Sequence, residues 1–241
     1  MRWIGHGGLA AGLPGGAPDR QTLDQAVRLG LDMLELDVCV TADAVCVVRH
    51  DTTLASGRRL DACRLDELRR TLPDLLTLDD AVDHLSARVP VLLDLKPGAT
   101  DAVGAWLRRR GGDAEVAVCT DDDEALRSLR AVAPATPLWL TLPKVGAGRG
   151  ERRRRVIAAA LRRRLPAALP GLAGSVGAAG LCVDHWAVTA ALCRAAHRLR
   201  LPVAAWTVNR PGRARAMARC RVDLLTTDDV AGMRAALDGR R

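Results

Sequence analysis

The chain has 241 residues, of which 49% are hydrophobic and 2% aromatic, with five Trp and neither Phe nor Tyr. That length and apolar content suit one large core of the size an α/β barrel needs, while the shortage of rings leaves little for unpaired bases to stack on and argues against nucleic-acid recognition. Lys and Arg number 36 against 28 Asp and Glu, a net charge of +8 carried almost wholly by arginine, since Lys96 and Lys144 are the only lysines; the excess favours anionic partners such as phosphate esters or membrane surfaces.

Short apolar runs alternate with helical patterns along the whole chain, the signature of βα units and a parallel sheet. Strands are expected at Arg2–Ile4, Met33–Val40, Val45–Arg49, Val89–Leu95, Glu115–Cys119, Leu138–Leu142, Gly180–Val183, Val203–Val208 and Leu224–Thr226. Eight of them would close a (β/α)8 TIM barrel as a single domain over residues 1–241. Val45–Arg49 is the expected extra strand, because too few residues separate it from the preceding one for a parallel crossover, and it should pair antiparallel. Helices are expected at Thr22–Leu29, Leu65–Arg70, Leu78–Leu85, Asp101–Arg110, Asp122–Ala133, Gly150–Leu165, Thr189–Leu199, Arg213–Arg219 and Val230–Leu237. Thr77, Asp121 and Asp228 each stand where a helix's first free amides need an oxygen acceptor. The Gly/Pro-rich stretch Leu9–Gln21 reads as a loop after the first strand.

The seven cysteines include no C-x-x-C pair and mostly lie in apolar or helical runs, so free thiols and a reducing compartment are expected. Met1 leads almost directly into Trp3-Ile4-Gly5-His6 without a secretory pattern, and no apolar run approaches the roughly 18 residues that span a bilayer. The expected location is cytoplasmic.

The polar residues collect at strand ends. In Met33–Val40 only Glu35 and Asp37 are charged, and residues two apart in a strand face the same way. Two carboxylates on one face of an apolar strand repel and lose hydration unless a positive charge sits between them. Hard oxygen donors favour Mg²⁺ or Ca²⁺; the alternative is a strand end whose acids are solvated. In a parallel barrel the C-terminal strand ends form the active face. His6 closes the first strand, His50 and Asp51 follow the extra strand, and Asp94 and Lys96 end another with same-face spacing. Trp206, Thr207 and Asn209 end the seventh ring strand, and Thr227 and Asp228 follow the eighth.

The order His6-Gly-Gly, then L-E-L-D-V with Thr41 and Asp43, then V-V-R-H-D ending in His50 and Asp51, resembles the glycerophosphodiester phosphodiesterase family. The similarity continues through LLTLDDAVDHL, LLDLK, A-W-T-V-N and V-D-L-L-T-T-D, and is weak only around residues 143–178. It implies a barrel of the phospholipase-C-like phosphodiesterase type, with Glu35, Asp37 and Asp94 as ligands of a divalent ion, His6 and His50 as the acid–base pair, Lys96 contacting phosphate and Trp206 at the substrate. Phosphodiester cleavage needs such groups, because charge gathers on the non-bridging oxygens while one imidazole accepts a proton and another donates one.

Two departures stand out. Gly7 occupies the place of the family's usual arginine, removing a bidentate phosphate donor, and Arg20, Arg49 and Arg58 are the nearest sequence candidates to replace it. The family's loop glutamate element is missing from Ala17–Thr22, and Asp94 stands where many members have Glu. The implied activity is metal-dependent hydrolysis of glycerophosphodiesters or lysophospholipids, small-molecule substrates. The alternative is an impaired barrel that binds phosphorylated ligands as a regulatory protein. The arginine runs Arg152–Arg155 and Arg162–Arg164 read as a solvated outer helix or, more sharply, as peripheral contact with an anionic membrane.

Overall fold

In the computed structural model, which describes residues 1–111, 115–146 and 150–239, the chain alternates strand and helix as the apolar pattern requires. The strands are β1 (Arg2–Gly5), β2 (Met33–Val40), β3 (Cys46–Val48), β4 (Val91–Leu95), β5 (Val116–Thr120), β6 (Leu138–Thr141), β7 (Gly180–Asp184), β8 (Val203–Trp206) and β9 (Leu224–Thr227). Eight of these described strands are parallel neighbours in the order β1-β9-β8-β7-β6-β5-β4-β2, and a β1–β2 pairing closes the ring. β3 lies outside it, antiparallel to β2 with Val38 opposite Val48, as the short connection demands.

The helices are α1 (Arg20–Arg28), α2 (Leu65–Thr71), α3 (Leu78–Leu85), α4 (Thr100–Arg110), α5 (Asp123–Val132), α6 (Glu151–Val176), α7 (Ala190–Arg198), α8 (Pro211–Arg219) and α9 (Val230–Asp238). Strand alternation sorts the core into layers. Leu34, Leu36 and Val38 of β2, Val91 and Leu93 of β4 and Leu181 and Val183 of β7 pack outward with the helices. Ile4, Leu92, Ala117, Cys119, Trp139, Cys182, Ala204 and Leu224 fill the barrel interior. A smaller cluster of Cys39, Val47, Leu60, Cys63, Leu68 and Leu75 supports the β3 hairpin.

Three local expectations change. Thr77 caps α3 in a reciprocal capping box with Asp80, but α5 is capped by Asp122 and α9 by Asp229, each one residue beyond the expected cap. Asp121 instead pairs with Lys144 at 3.3 Å, and Asp228 serves the site described below. The helix expected to stop at Leu165 runs on to Val176 through Pro166 and Pro170. Proline costs a helix interior about 3 kcal/mol, yet Leu165, Leu169, Ala173 and Val176 form one buried stripe against the barrel, and that packing outweighs the lost amides. No helix of the described residues is long and apolar enough to cross a membrane.

Candidate active site

The alternation that sends Leu34, Leu36 and Val38 toward the helices sends Glu35 and Asp37 into the barrel mouth. Register does the rest: Asp37 lies directly opposite Asp94 on β4. Carboxylate oxygens of Glu35, Asp37 and Asp94 lie within 4.8 Å of one another, and Glu35 and Asp37 are only 6% and 3% exposed. Lys96 crosses this cluster, its Nζ 2.5 Å from Asp37 Oδ1 and 2.7 Å from Asp94 Oδ2. Burial opposes the lysine's charge, but Asp94 and Asp37 more than compensate and raise its pKa. Glu35 accepts the Gly7 N–H at 2.6 Å; burial, followed by the repulsion of Asp37, holds its carboxyl well above the usual range. Asp37 Oδ2 is buried with no hydrogen-bond partner. Three hard oxygen donors, one of them unsatisfied, make a set that fits a divalent cation, which would restore the hydration the buried charges lost.

His6 sits at the end of β1 with its Nδ1 2.6 Å from Asp228 Oδ1, across the pairing of the first and last strands, β1 and β9. Asp228 is itself held: Asn209 donates to Asp228 Oδ2, and Asn209 Oδ1 accepts from Thr227 Oγ1 at 2.9 Å and from the Asp228 N–H at 3.0 Å. Burial pulls the His6 pKa down, but the Asp228 hydrogen bond and the charges of Glu35, Asp228 and Asp37 together carry it up to about 9. His50 is more open and has its Nδ1 2.9 Å from Asp51 Oδ1. It is brought to the mouth by β3, whose continuation lets the Arg49 N–H donate to Asp37 O. The Gly/Pro-rich loop docks alongside, the His50 N–H donating to Gly16 O, and a Cβ on Gly16 would stand 2.7 Å from that of His50. Glycine is what allows this close approach.

A cavity of about 240 Å³ opens at this barrel mouth. His6, His50, Glu35, Asp37, Asp94, Lys96 and Trp206, all singled out in the sequence, meet there. So does Lys144, which the sequence reading passed over because it follows β6 in the stretch of weakest resemblance; its Nζ lies 5.9 Å from the Trp206 ring centroid. Asn209 and Asp228 stand out at strand ends in the sequence, but their joint hold on His6 is not legible there, because it forms across the β1–β9 pairing. Cys119, Thr141 and Cys182 complete the opposite wall.

The three arginines proposed to stand in at Gly7 do not line the cavity. Arg20 faces Asp80 at 3.3 Å, Arg58 faces Glu67 at 3.2 Å, and Arg49 is buried with its Nε donating to Asp51 O. Gly7 itself does face the site: with φ of 52°, a Cβ there would lie 3.5 Å from Asp37 Oδ2.

The profile of the Glycerophosphoryl diester phosphodiesterase family matches residues 20–231. Among solved structures, a Silicibacter pomeroyi protein assigned as a glycerophosphoryl diester phosphodiesterase is 26% identical with a TM-score of 0.77, the match covering 99% of this chain and 94% of that one. A glycerophosphodiester phosphodiesterase from Parabacteroides distasonis is 20% identical with a TM-score of 0.77, covering 99% and 97% of the two chains. An Oleispira antarctica phosphodiesterase, solved with its product sn-glycerol-3-phosphate, is 17% identical with a TM-score of 0.78 over 99% and 97%. No curated protein is matched by the sequence.

Proposed function

Because the chain belongs to the glycerophosphoryl diester phosphodiesterase family, and is thus a phosphoric diester hydrolase, we propose that it cleaves glycerophosphodiesters in the cavity at the C-terminal end of the barrel, giving an alcohol and glycerol phosphate. The observation that carries this reading is the convergence of Glu35, Asp37 and Asp94 beside two aspartate-held histidines in one cavity.

Glu35, Asp37 and Asp94 would hold a divalent cation, Mg²⁺ or Ca²⁺, which when bound neutralises charge on the non-bridging phosphate oxygens. Lys96 holds a fixed positive charge at the same place, between Asp37 and Asp94. The Asp228 carboxylate on Nδ1 favours the imidazolium form of His6, which suits it to protonate the leaving alcohol. His50, also held at Nδ1, takes the proton of the attacking hydroxyl, whether from water or from the substrate's neighbouring hydroxyl with a cyclic phosphate formed first. Lysophospholipids are the second substrate class that this chemistry would accept. All seven cysteines are free, which supports a reducing, cytoplasmic setting.

A binding barrel without turnover is favoured by one observation, the glycine at position 7 with no arginine among the described residues lining the cavity in its place. Alcohol and phosphomonoester release from a panel of glycerophosphodiesters and lysophospholipids, with chelator and with added Mg²⁺ or Ca²⁺, separates the two. Metal-stimulated release supports the hydrolase. Tight binding of the diesters without release under any of these conditions sinks it.

A further inference from the structure

Outside the carboxylate cluster, three arginines without an ion pair among the described residues gather around one tryptophan on the rim beyond β7. Arg154 of α6 and Arg213 of α8 place their guanidinium carbons 4.8 and 5.1 Å from the centroid of the Trp186 ring. Arg162, two turns along α6 from Arg154, donates its Nε to Trp186 O at 2.7 Å. Among the described residues none of the three forms an ion pair, and their terminal guanidinium nitrogens make no hydrogen bond. An indole and a carbonyl, rather than carboxylates, hold these cations in place.

The acid acting on Arg213, Asp184, already accepts two backbone hydrogen bonds, from the Val145 N–H at 3.0 Å and the Trp186 N–H at 2.9 Å. Burial, then the charges of Arg162 and Arg210, lower the pKa of Arg213 against the pull of Asp184. His185 adds no positive charge, since burial and the charge of Arg213 push it down to about 4. Three cations gathered beside a single carboxylate still repel one another, and an anion between them relieves that repulsion.

The patch shares a wall with the catalytic cavity. The His185 N–H donates to Trp206 O at 2.9 Å, and Trp206 lines the cavity. Val145, bonded to Asp184, follows Lys144, which also lines it. We propose that Arg154, Arg162 and Arg213 form a second anion-binding site at the rim of the cavity, taking a phosphate group carried on the alcohol side of a diester substrate. This specificity rests on the hydrolase reading above. Guanidinium groups suit it because their forked donors match phosphate oxygens. Arg152, Arg153, Arg155, Arg163 and Arg164 are exposed on the same helix without contact to Trp186 and serve as internal controls.

The test compares the parent, the Arg154→Ala/Arg213→Ala pair and an Arg152→Ala/Arg153→Ala control on glycerophosphocholine, glycerophosphoglycerol and glycerophosphoinositol phosphate. The rim pair is expected to lower kcat/KM for the phosphorylated diester by about tenfold or more, the scale of one charge-assisted hydrogen bond, and for the others by less than about twofold. Arg154→Lys/Arg213→Lys, which keeps charge without the fork, should fall between parent and alanine pair and guards against a folding defect. Calorimetric titration of chelator-treated protein with inorganic pyrophosphate gives a readout independent of turnover. Loss of that binding in the rim pair but not the control upholds the site even if no diester is hydrolysed, a result that would instead remove the hydrolase reading. Equal losses on all three diesters, or unchanged pyrophosphate binding, overturns the proposal. So does a rim pair that keeps its substrate selectivity but no longer sediments with phosphatidylserine vesicles, which would make the patch a membrane contact.

Discussion

The barrel mouth is built from two unlike arcs. Along β1, β2 and β4 the wall is ionic, with Glu35, Asp37, Asp94, Lys96 and His6 close enough to set one another's charge. Along β5 to β8 it is neutral, with Cys119, Thr141, Cys182 and Trp206, and its cations stand further out at Lys144 and around Trp186. The first arc satisfies most of its charge internally, so an ion or substrate there must displace existing partners. In the second, Lys144 is shared only with the half-exposed Asp121, and Arg154 and Arg213 stack on an indole without an ion pair among the described residues, which leaves donors for an incoming anion. Under the proposed function and the proposed rim site, reaction chemistry falls to the first arc and discrimination between alcohols to the second, a division that substitutions can break or sharpen.

The largest effect is expected from Asp37→Asn, which keeps the size of the side chain but loses the charge that would hold a hard cation. Turnover should fall roughly a thousandfold, the upper range for removal of a transition-state charge stabiliser, with unchanged circular dichroism. Undiminished metal affinity by calorimetry would remove Asp37 from the ligand set.

Next is Lys96→Ala. Without metal it leaves Asp37 and Asp94 buried beside Glu35 with no cation, and should destabilise the fold by about 3–5 kcal/mol, the usual cost of breaking a buried pair. Added Mg²⁺ or Ca²⁺ should recover much of this in thermal melts, because a bound ion supplies the missing charge. A melting point indifferent to both ions would mean that the three carboxylates do not bind them.

His6→Ala and His50→Ala should each cost about a hundredfold in kcat/KM, and each should remove one limb of a bell-shaped pH profile. In chelator-treated protein His6 is expected to titrate near 9 against 6.5 when unfolded, so that the folded state binds the extra proton. Its stabilising contribution is fully present below about pH 6.5 and is lost as the pH rises through 9. Asp228→Asn removes the main support for that shift and should move the His6 titration, followed by NMR, to lower pH. An unmoved titration would show that the Nδ1 contact does not govern the ring.

The smallest effect concerns Gly7. Its left-handed backbone makes Gly7→Ala cost about 1–2 kcal/mol in any case. Gly7→Arg adds a cation that starts 3.5 Å from Asp37 Oδ2, so it should weaken metal binding as well as offer a phosphate donor. A rise in the metal concentration needed for half-maximal rate is therefore expected, with little net gain in kcat/KM. A large gain at unchanged metal requirement would mean that the parent's phosphate site is crippled for want of this arginine.

The sequence by itself determined the βα alternation, the antiparallel status of the extra strand and the meeting of His6, Glu35, Asp37, His50, Asp94, Lys96 and Trp206 at one end of the barrel. Those features follow from strand period and from the rule that parallel strands end on one face, which neighbouring residues record. Tertiary structure alone decided the rest. Of the adjacent acids Asp228 and Asp229, local pattern chose the first as helix cap, but pairing of β9 with β1 brings Asp228 to a histidine 222 residues away and leaves capping to the second. The helix expected to end at Leu165, just before Pro166, continues about three turns further because a buried stripe holds it. Within the arginine runs, Arg154 and Arg162 differ from their neighbours only because Trp186, on another βα unit, lies under that face of α6. In each case the deciding partner is distant in sequence, and local propensity carries no record of it.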